Sequence, residues 1–504
     1  MLENKSENTV LLYKSTFCVQ YKFPDECWKN GQKLSKTYWK NGQNVVILHW
    51  KNGQIMLNRK IDSYLEHFYK NNNKALLVTG ARQTGKSFSI RHFGTTHFES
   101  LIEINFIEMP DAADIIAHAK DSKDMLMRLS ALADRPLIEG KTLFFFDEVQ
   151  ECPSVVTAIK FLVEEGSYRY IMSGSLLGVE LNDLRSEPVG YMDVVEMFPL
   201  DLEEFFPALG LNRNILEETK SAFRQKTPIE GFIHEKMMEL FRLYLIIGGM
   251  PAVVQKYIDT NNLQDVLAEQ QAIIRLYKRD IAKYDRNHKL YIEEIFNMIP
   301  PELNAKNKRF ILKNLNENMK FSRYENSFIW LKEAGVALPV YNVEEPTIPL
   351  MLARSRNLFK LFQNDIGLLS SQFSDGIQLK LLKNEKGINF GSVYENVVAQ
   401  ELRAHGFELY YFNSKKQGEL DFVIELGGKV VPIEVKSGKD YQRHSALNNV
   451  LSNNDYQIEE AIVFCNDNLS QSNHILYLPI YMIAFLEKPS LPPLTYSIDL
   501  TGLK

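Results

Sequence analysis

The stretch KALLVTGARQTGKS, residues 74–87, decides the fold. Its apolar run from Ala75 to Val78 reads as a buried strand, and SFSIRHF after it reads as a helix. Between them lies a loop bracketed by Gly80 and Gly85 and closed by Lys86 and Ser87. Strand, glycine-bracketed loop and helix together make a phosphate cradle. The glycines allow backbone angles and close approach that a side chain would block. The amides of Gly80, Ala81, Arg82, Gln83, Thr84 and Gly85, with the positive end of the helix, point at bound phosphate. Lys86 has the reach for a β- or γ-phosphate, and the Ser87 hydroxyl suits a Mg²⁺ ion.

A second stretch, KTLFFFDE at 141–148, completes the pattern. Leu143 to Phe146 form a strand apolar on both faces, as in a parallel sheet covered by helices. Asp147 at its tip is placed for the Mg²⁺ shell, and Glu148 to polarise a water for attack on phosphorus. Farther on, YRYIM at 168–172 is another buried strand, ending in Ser173-Gly174-Ser175. Ser173 is there either as a reporter of the γ-phosphate or as part of a small-residue turn.

The rest of the chain divides around this core. Its 504 residues suit three or four domains. With 45% apolar and 24% charged residues the composition is that of a soluble globular protein. A net charge of −5 gives no global field for nucleic acid, so any such contact must be local. Cys18, Cys27, Cys152 and Cys465 form no C-x-x-C, which points away from a zinc site or disulfide framework and toward the cytoplasm. The apolar patch from Leu243 to Val254 is interrupted by Gly248, Gly249 and Pro251 and is too short to span a bilayer. The N-terminus shows no signal-peptide pattern.

Residues 1–55 carry Trp-Lys-Asn-Gly-Gln three times, at Trp28, Trp39 and Trp50. Two readings are open: a small β-meander with Asn-Gly turns, or translated upstream repeat ahead of a working start at Met56. Residues 56–225 alternate strands and helices, an α/β domain with a parallel sheet. Residues 226–289 are helical, broken by Gly248-Gly249-Met250-Pro251, and suit a lid in which Arg275 and Arg279 either face nucleotide or lie in solvent. In 290–370, helices over 310–315 and 324–334 and a strand from Val336 to Tyr341 suit a winged helix. Lys306, Lys308, Arg309, Lys313, Lys320 and Arg323 make that segment locally basic, for DNA contact or as a protein spacer. Residues 371–487 form a last domain, and 488–504 a tail.

That last domain holds a second set of acids. Glu395 sits on the amphipathic helix VYENVVAQELRAH, Asp421 on the strand ELDFVI, and Glu434 and Lys436 share a face of VVPIEVK. Asp421 and Glu434 on adjacent strands suit Mg²⁺ held by carboxylate oxygens, with Glu395 completing the shell and Lys436 orienting a water. That is equipment for metal-assisted phosphodiester cleavage.

GARQTGKS, FFFDEVQECP, MSGSLLGV, IIGGMPAVV and YKRDIAKY resemble a bacterial and archaeal group of AAA+-type P-loop ATP-binding proteins. GSVYENVVAQEL, GELDFV and VVPIEVKSGK resemble the domain of unknown function joined to them, which is similar to PD-(D/E)XK nucleases. The resemblance runs from about Met56 to Leu486. It implies that Gly80, Gly85, Lys86 and Ser87 form the phosphate loop, that Asp147 and Glu148 are the metal and water-activating acids, and that Ser173 is the sensor. It implies too that Glu395, Asp421, Glu434 and Lys436 form the nuclease-fold core. The pattern departs at Asp183 to Pro188, where Arg185 alone is near the place of an arginine finger. The expected function is a Mg²⁺-dependent ATPase coupled to the nuclease-like domain and acting on DNA. The alternative is an ATP/ADP-controlled switch for a protein partner, with the nuclease fold as scaffold; a third reading is a motor ring.

Overall fold

The computed structural model describes residues 57–174, 190–284, 289–305, 308–311, 324–374, 376–383, 385, 391–489 and 495–498, with the backbone of short strands between residues 10 and 55. Met1–Asn58 and Arg59–Lys504 are two separate units. In the first, the pentapeptides at Trp28 and Trp50 each open an antiparallel ladder, Trp28 opposite Lys33 and Trp50 opposite Ile55. The repeat at Trp39 and the segment around Arg185 lie outside the described residues.

The second unit begins with helix α1 (Lys60–Asn71), and then strands and helices alternate. The strands are β1 (Ala75–Thr79), β2 (Ser100–Asn105), β3 (Thr142–Asp147), β4 (Arg169–Ser173) and β5 (Met192–Glu196). They form one parallel sheet in the order β5-β1-β4-β3-β2. Helix α2 (Lys86–His97) follows the loop after β1. Helices α3 (Pro110–Ala117), α4 (Ser122–Leu132) and α5 (Pro153–Glu165) complete the cover. The pleat sorts β3 between two cores: Phe144 and Phe146 bury with α3, α4 and α5, whereas Leu143 and Phe145 bury with α1 and α2. Each such side chain contributes about 1.5–3 kcal/mol on burial, which is why that run can only be a central strand.

Helices α6 (Leu202–Ala208), α7 (Arg213–Gln225), α8 (Gly231–Ile247), α9 (Pro251–Thr260) and α10 (Leu263–Tyr284) follow. Asp201 caps α6 by accepting from the Glu204 amide, as its position before a helical run predicts. The Gly-Gly-Met-Pro segment bends α8 against α9 by 116°. Among the described residues no single helix is long and apolar enough to cross a membrane.

Helix α11 (Lys289–Asn304), helix α12 (Glu325–Glu333), β6 (Ala337–Val343) and β7 (Arg354–Gln363) occupy the segment expected to be a winged helix. Phe310 and Ile311 are not helical, and 312–323 lie outside the described residues. Strands β6 and β7 pair antiparallel, as a wing would, but they do not form a separate body. Helices α13 (Ile366–Ser370), α14 (Ile377–Leu382) and α15 (Gly391–Ala404) precede β8 (Tyr410–Ser414), β9 (Gly418–Leu426) and β10 (Lys429–Val435). After helix α16 (Ser445–Leu451) come β11 (Ala461–Cys465), β12 (Ser470–Ser472) and β13 (Ile475–Pro479). The second sheet runs β7-β6-β8-β9-β10-β11-β13-β12, so the hairpin extends the C-terminal sheet across residue 370. The joint is the parallel pairing of Tyr341 to Val343 with Tyr410 to Phe412.

Candidate active site

The C-terminal ends of β1, β3 and β4 lie side by side, with Ser173 opposite Val78 and Met172 opposite Phe146. In an open parallel sheet this crevice is where ligands bind. Gly80 has φ 129°, and a Cβ there would lie 2.2 Å from the Met197 carbonyl oxygen, so only glycine lets the loop turn beside β5. Gly85, at φ 94°, precedes the first residue of α2.

Asp147 gathers the polar groups of the crevice. Its Oδ1 accepts from Ser87 Oγ at 3.1 Å and from Ser173 Oγ, and its Oδ2 accepts from Asn105 Nδ2 at 3.2 Å. A hydroxyl and a carboxylate at this separation are a donor set that suits a hard cation such as Mg²⁺. Glu148 follows in the left-handed region, φ 56°, with Oε2 accepting from Gln150 at 2.6 Å. A non-glycine residue held there marks a site where backbone strain is tolerated. Arg91 is bidentate to Glu103, with its Nη2 also 3.8 Å from Asp147 Oδ2.

Lys86 is buried, and its Nζ donates to the carbonyls of Gly80 at 2.9 Å and Ala81 at 2.8 Å. Burial pushes its pKa down to about 8 from an ordinary 10.5, against the pull of Glu148 and Asp147. Binding of a polyphosphate favours the charged ammonium. We therefore expect ATP binding to take up a proton above pH 8, and affinity to fall about 10-fold from pH 7 to pH 9. Calorimetry in two buffers of different ionisation enthalpy measures both; an affinity flat over that range contradicts it.

The loop is braced from several sides. Arg59, ahead of α1, donates from Nη1 to the Thr84 carbonyl at 2.8 Å, from Nη2 to the Phe198 carbonyl at 2.7 Å and from Nε to Glu204 at 3.1 Å. From α10, Asp280 Oδ1 accepts from Arg82 Nη1 at 2.6 Å, and the Tyr277 hydroxyl donates to the Arg82 carbonyl at 3.1 Å. Arg275 and Arg279 of the same helix are exposed. The turn after α12 also touches the loop: a Cβ on Gly335 would lie 3.0 Å from the Ala81 amide nitrogen. Arg59 and Asn105 were not singled out in the sequence, and Tyr277 and Asp280 entered only within the motif YKRDIAKY. For Asn105 there was a signal, since it ends an alternating strand at the same edge as Asp147.

The second acid set also assembles. Glu395 from α15 is 1% exposed, and β9 and β10 place Asp421 and Glu434 on neighbouring strands joined by a side-chain hydrogen bond. Burial and Asp421 push Glu434 well above the usual carboxylate range and Glu395 up to about 7. Lys436 Nζ lies 3.5 Å from Glu434 Oε2. Lys308, expected to serve a basic DNA face, instead contacts Glu395 Oε1. Lys360, on β7, is fully buried beside the same acids. Among the described residues no group of three or more histidine, cysteine or acidic side chains has the geometry to hold a metal.

The family described as "AAA domain" matches residues 72–206. Two families described as domains of unknown function, DUF8612 and DUF4143, match 238–378 and 390–483. Residues 72–206, which hold the crevice, are thus similar to an AAA domain, and the two segments after them match families described only as domains of unknown function. Among solved structures, the Walker-type ATPase PABY2304 of Pyrococcus abyssi is similar at 13% identity and TM-score 0.39, over 63% of this chain and 96% of that one. Cdc6p of Pyrobaculum aerophilum is similar at 13% identity and TM-score 0.22, over 65% and 94%. The ORC1 protein of Aeropyrum pernix, solved in complex with DNA, is similar at 10% identity and TM-score 0.27, over 66% and 94%. No curated protein matches.

Proposed function

We propose that the protein is a Mg²⁺-dependent ATPase that uses its nucleotide state to set the lid helices against the C-terminal domain, and so to control a partner-binding surface. In this reading Lys86 and the loop amides hold the phosphates, Ser87 and Asp147 hold the ion, and Glu148 orients the attacking water. Ser173 exchanges its bond to Asp147 for the γ-phosphate and reports its presence.

The observation that carries this reading is the wiring of the loop. Arg82 and the carbonyl of the same residue are bound by α10, so a shift of the phosphate loop is a shift of the lid. At the other end, the Gly249 amide donates to Asp365 Oδ2 at 2.6 Å, just after β7 of the second sheet. Helix α15 closes the circuit: Glu401 Oε1 accepts from the Leu202 amide at 3.0 Å and Arg403 Nη2 donates to Glu196 at 2.6 Å. Contiguous packed elements of this kind can carry a coupling energy if the lid has two arrangements.

We expect ATP to slow hydrogen exchange across α9 and α10. Asp280→Asn should weaken that protection about 10-fold, the size of a lost charge-assisted hydrogen bond. Exchange that is identical with and without ATP in the wild type contradicts the reading. A DNA-cutting output is the rival reading, and it requires Glu395, Asp421 and Glu434 to take a divalent ion in place of their lysine partners. Its test is Mg²⁺-dependent cleavage that disappears in Asp421→Ala and Glu434→Ala.

A further inference from the structure

The C-terminal acids meet around ammonium groups of the chain itself. Lys360 is 0% exposed, its Nζ 2.8 Å from Glu419 Oε1 and 3.9 Å from Glu395 Oε2. Lys308 takes the other oxygen of Glu395. Neither lysine belongs to the matched 390–483 segment: one comes from β7 and the other from the residues after α11. Asp421 is engaged by Glu434 and by the Val435 amide, which donates to its Oδ2 at 2.9 Å. Glu434 in turn lies beside Lys436.

A buried ammonium is tolerated only where acids compensate it, and a buried acid only where a cation does. Glu395, Glu419, Asp421 and Glu434 lie among Lys308, Lys360 and Lys436, three ammonium groups of the chain itself. The three ammonium groups and the Val435 amide meet the four carboxyls without a divalent ion. Adding one would place two more positive charges against the fully buried Lys360.

We propose that this centre is a metal-free ion cluster in which Lys360, with Lys308, stands where a divalent cation would, and that it clamps β7 and the segment after α11 onto the 390–483 domain. The use of such a clamp, as a rigid scaffold for switching, rests on the function proposed above; its metal content does not.

The test is Mn²⁺ titration of the nucleotide-free full chain by electron paramagnetic resonance, wild type against Asp421→Asn. The expected result is identical binding in the two proteins. A Mn²⁺ site present in the wild type and lost in Asp421→Asn overturns the proposal. The clamp is read separately by thermal unfolding. Lys360→Met should lower Tm by about 10 °C, as breaking a buried pair does. Adding Glu395→Gln and Glu419→Gln to Lys360→Met should recover at least half of that loss. A triple variant no more stable than Lys360→Met overturns it. Failure of the switch appears instead as hydrogen exchange unmoved by ATP.

Discussion

The Lys86→Ala protein is expected to hydrolyse ATP about 10²–10³-fold more slowly than the wild type, the usual loss when one preorganised donor to a developing charge is removed. It should also lose most of the heat of ATP binding. Its fold should survive. Lys86 is buried and its charged form is disfavoured there, so a small apolar residue removes an unfavourable desolvation from the nucleotide-free protein. An unchanged or raised Tm beside lost turnover separates a phosphate-binding role from a structural one. Phosphate-release kinetics and a melting curve on the same sample are sufficient, and turnover at the wild-type rate refutes the assignment of the loop.

The largest expected stability effect is at Gly249. A Cβ there would lie 2.0 Å from the Leu200 carbonyl oxygen and 2.7 Å from its nitrogen, both backbone atoms that cannot swing aside. The same two residues exchange a backbone hydrogen bond, the Leu200 amide donating to the Gly249 carbonyl at 2.7 Å. The Gly249 amide is meanwhile held by Asp365, whose carboxyl burial pushes up to about 6. Gly249→Ala must therefore break either the β5–α8 junction or the bond to Asp365. We expect a loss of at least about 4 kcal/mol, enough to prevent accumulation of folded protein. Gly231→Ala, where no atom lies within 4 Å of the new methyl, is the control and should be neutral or slightly stabilising. Urea unfolding of both variants decides it, and equal midpoints would refute the argument.

The placement of the glycine-bracketed loop beside the acids at the strand tip was legible because each is a contiguous local pattern. Lys86, Ser87 and Asp147 meet as the spacing of two buried strands requires, and Ser173 joins them through β4. The same holds for Asp421, Glu434 and Lys436, which alternate along neighbouring strands. What was not legible is nonlocal. Arg59 reaches Thr84, Phe198 and Glu204 by three separate bonds, and a single arginine before a helix carries no mark of that. Lys308 looked like part of a basic surface because charge was read along the chain, whereas its partner lies 87 residues on. A division at residue 370 follows the run of helices between β7 and β8, but strand pairing is indifferent to such boundaries, and β6 joins β8.

That joint bears on how the molecule can be dissected. A fragment beginning at residue 371 would strip β6 from β8 and leave Tyr410 to Phe412 as a bare, aromatic sheet margin. Such margins recruit one another. Expression of that fragment alone should give aggregates, and recombining this C-terminal module with another ATPase requires the hairpin from Ala337 to Gln363 to travel with it.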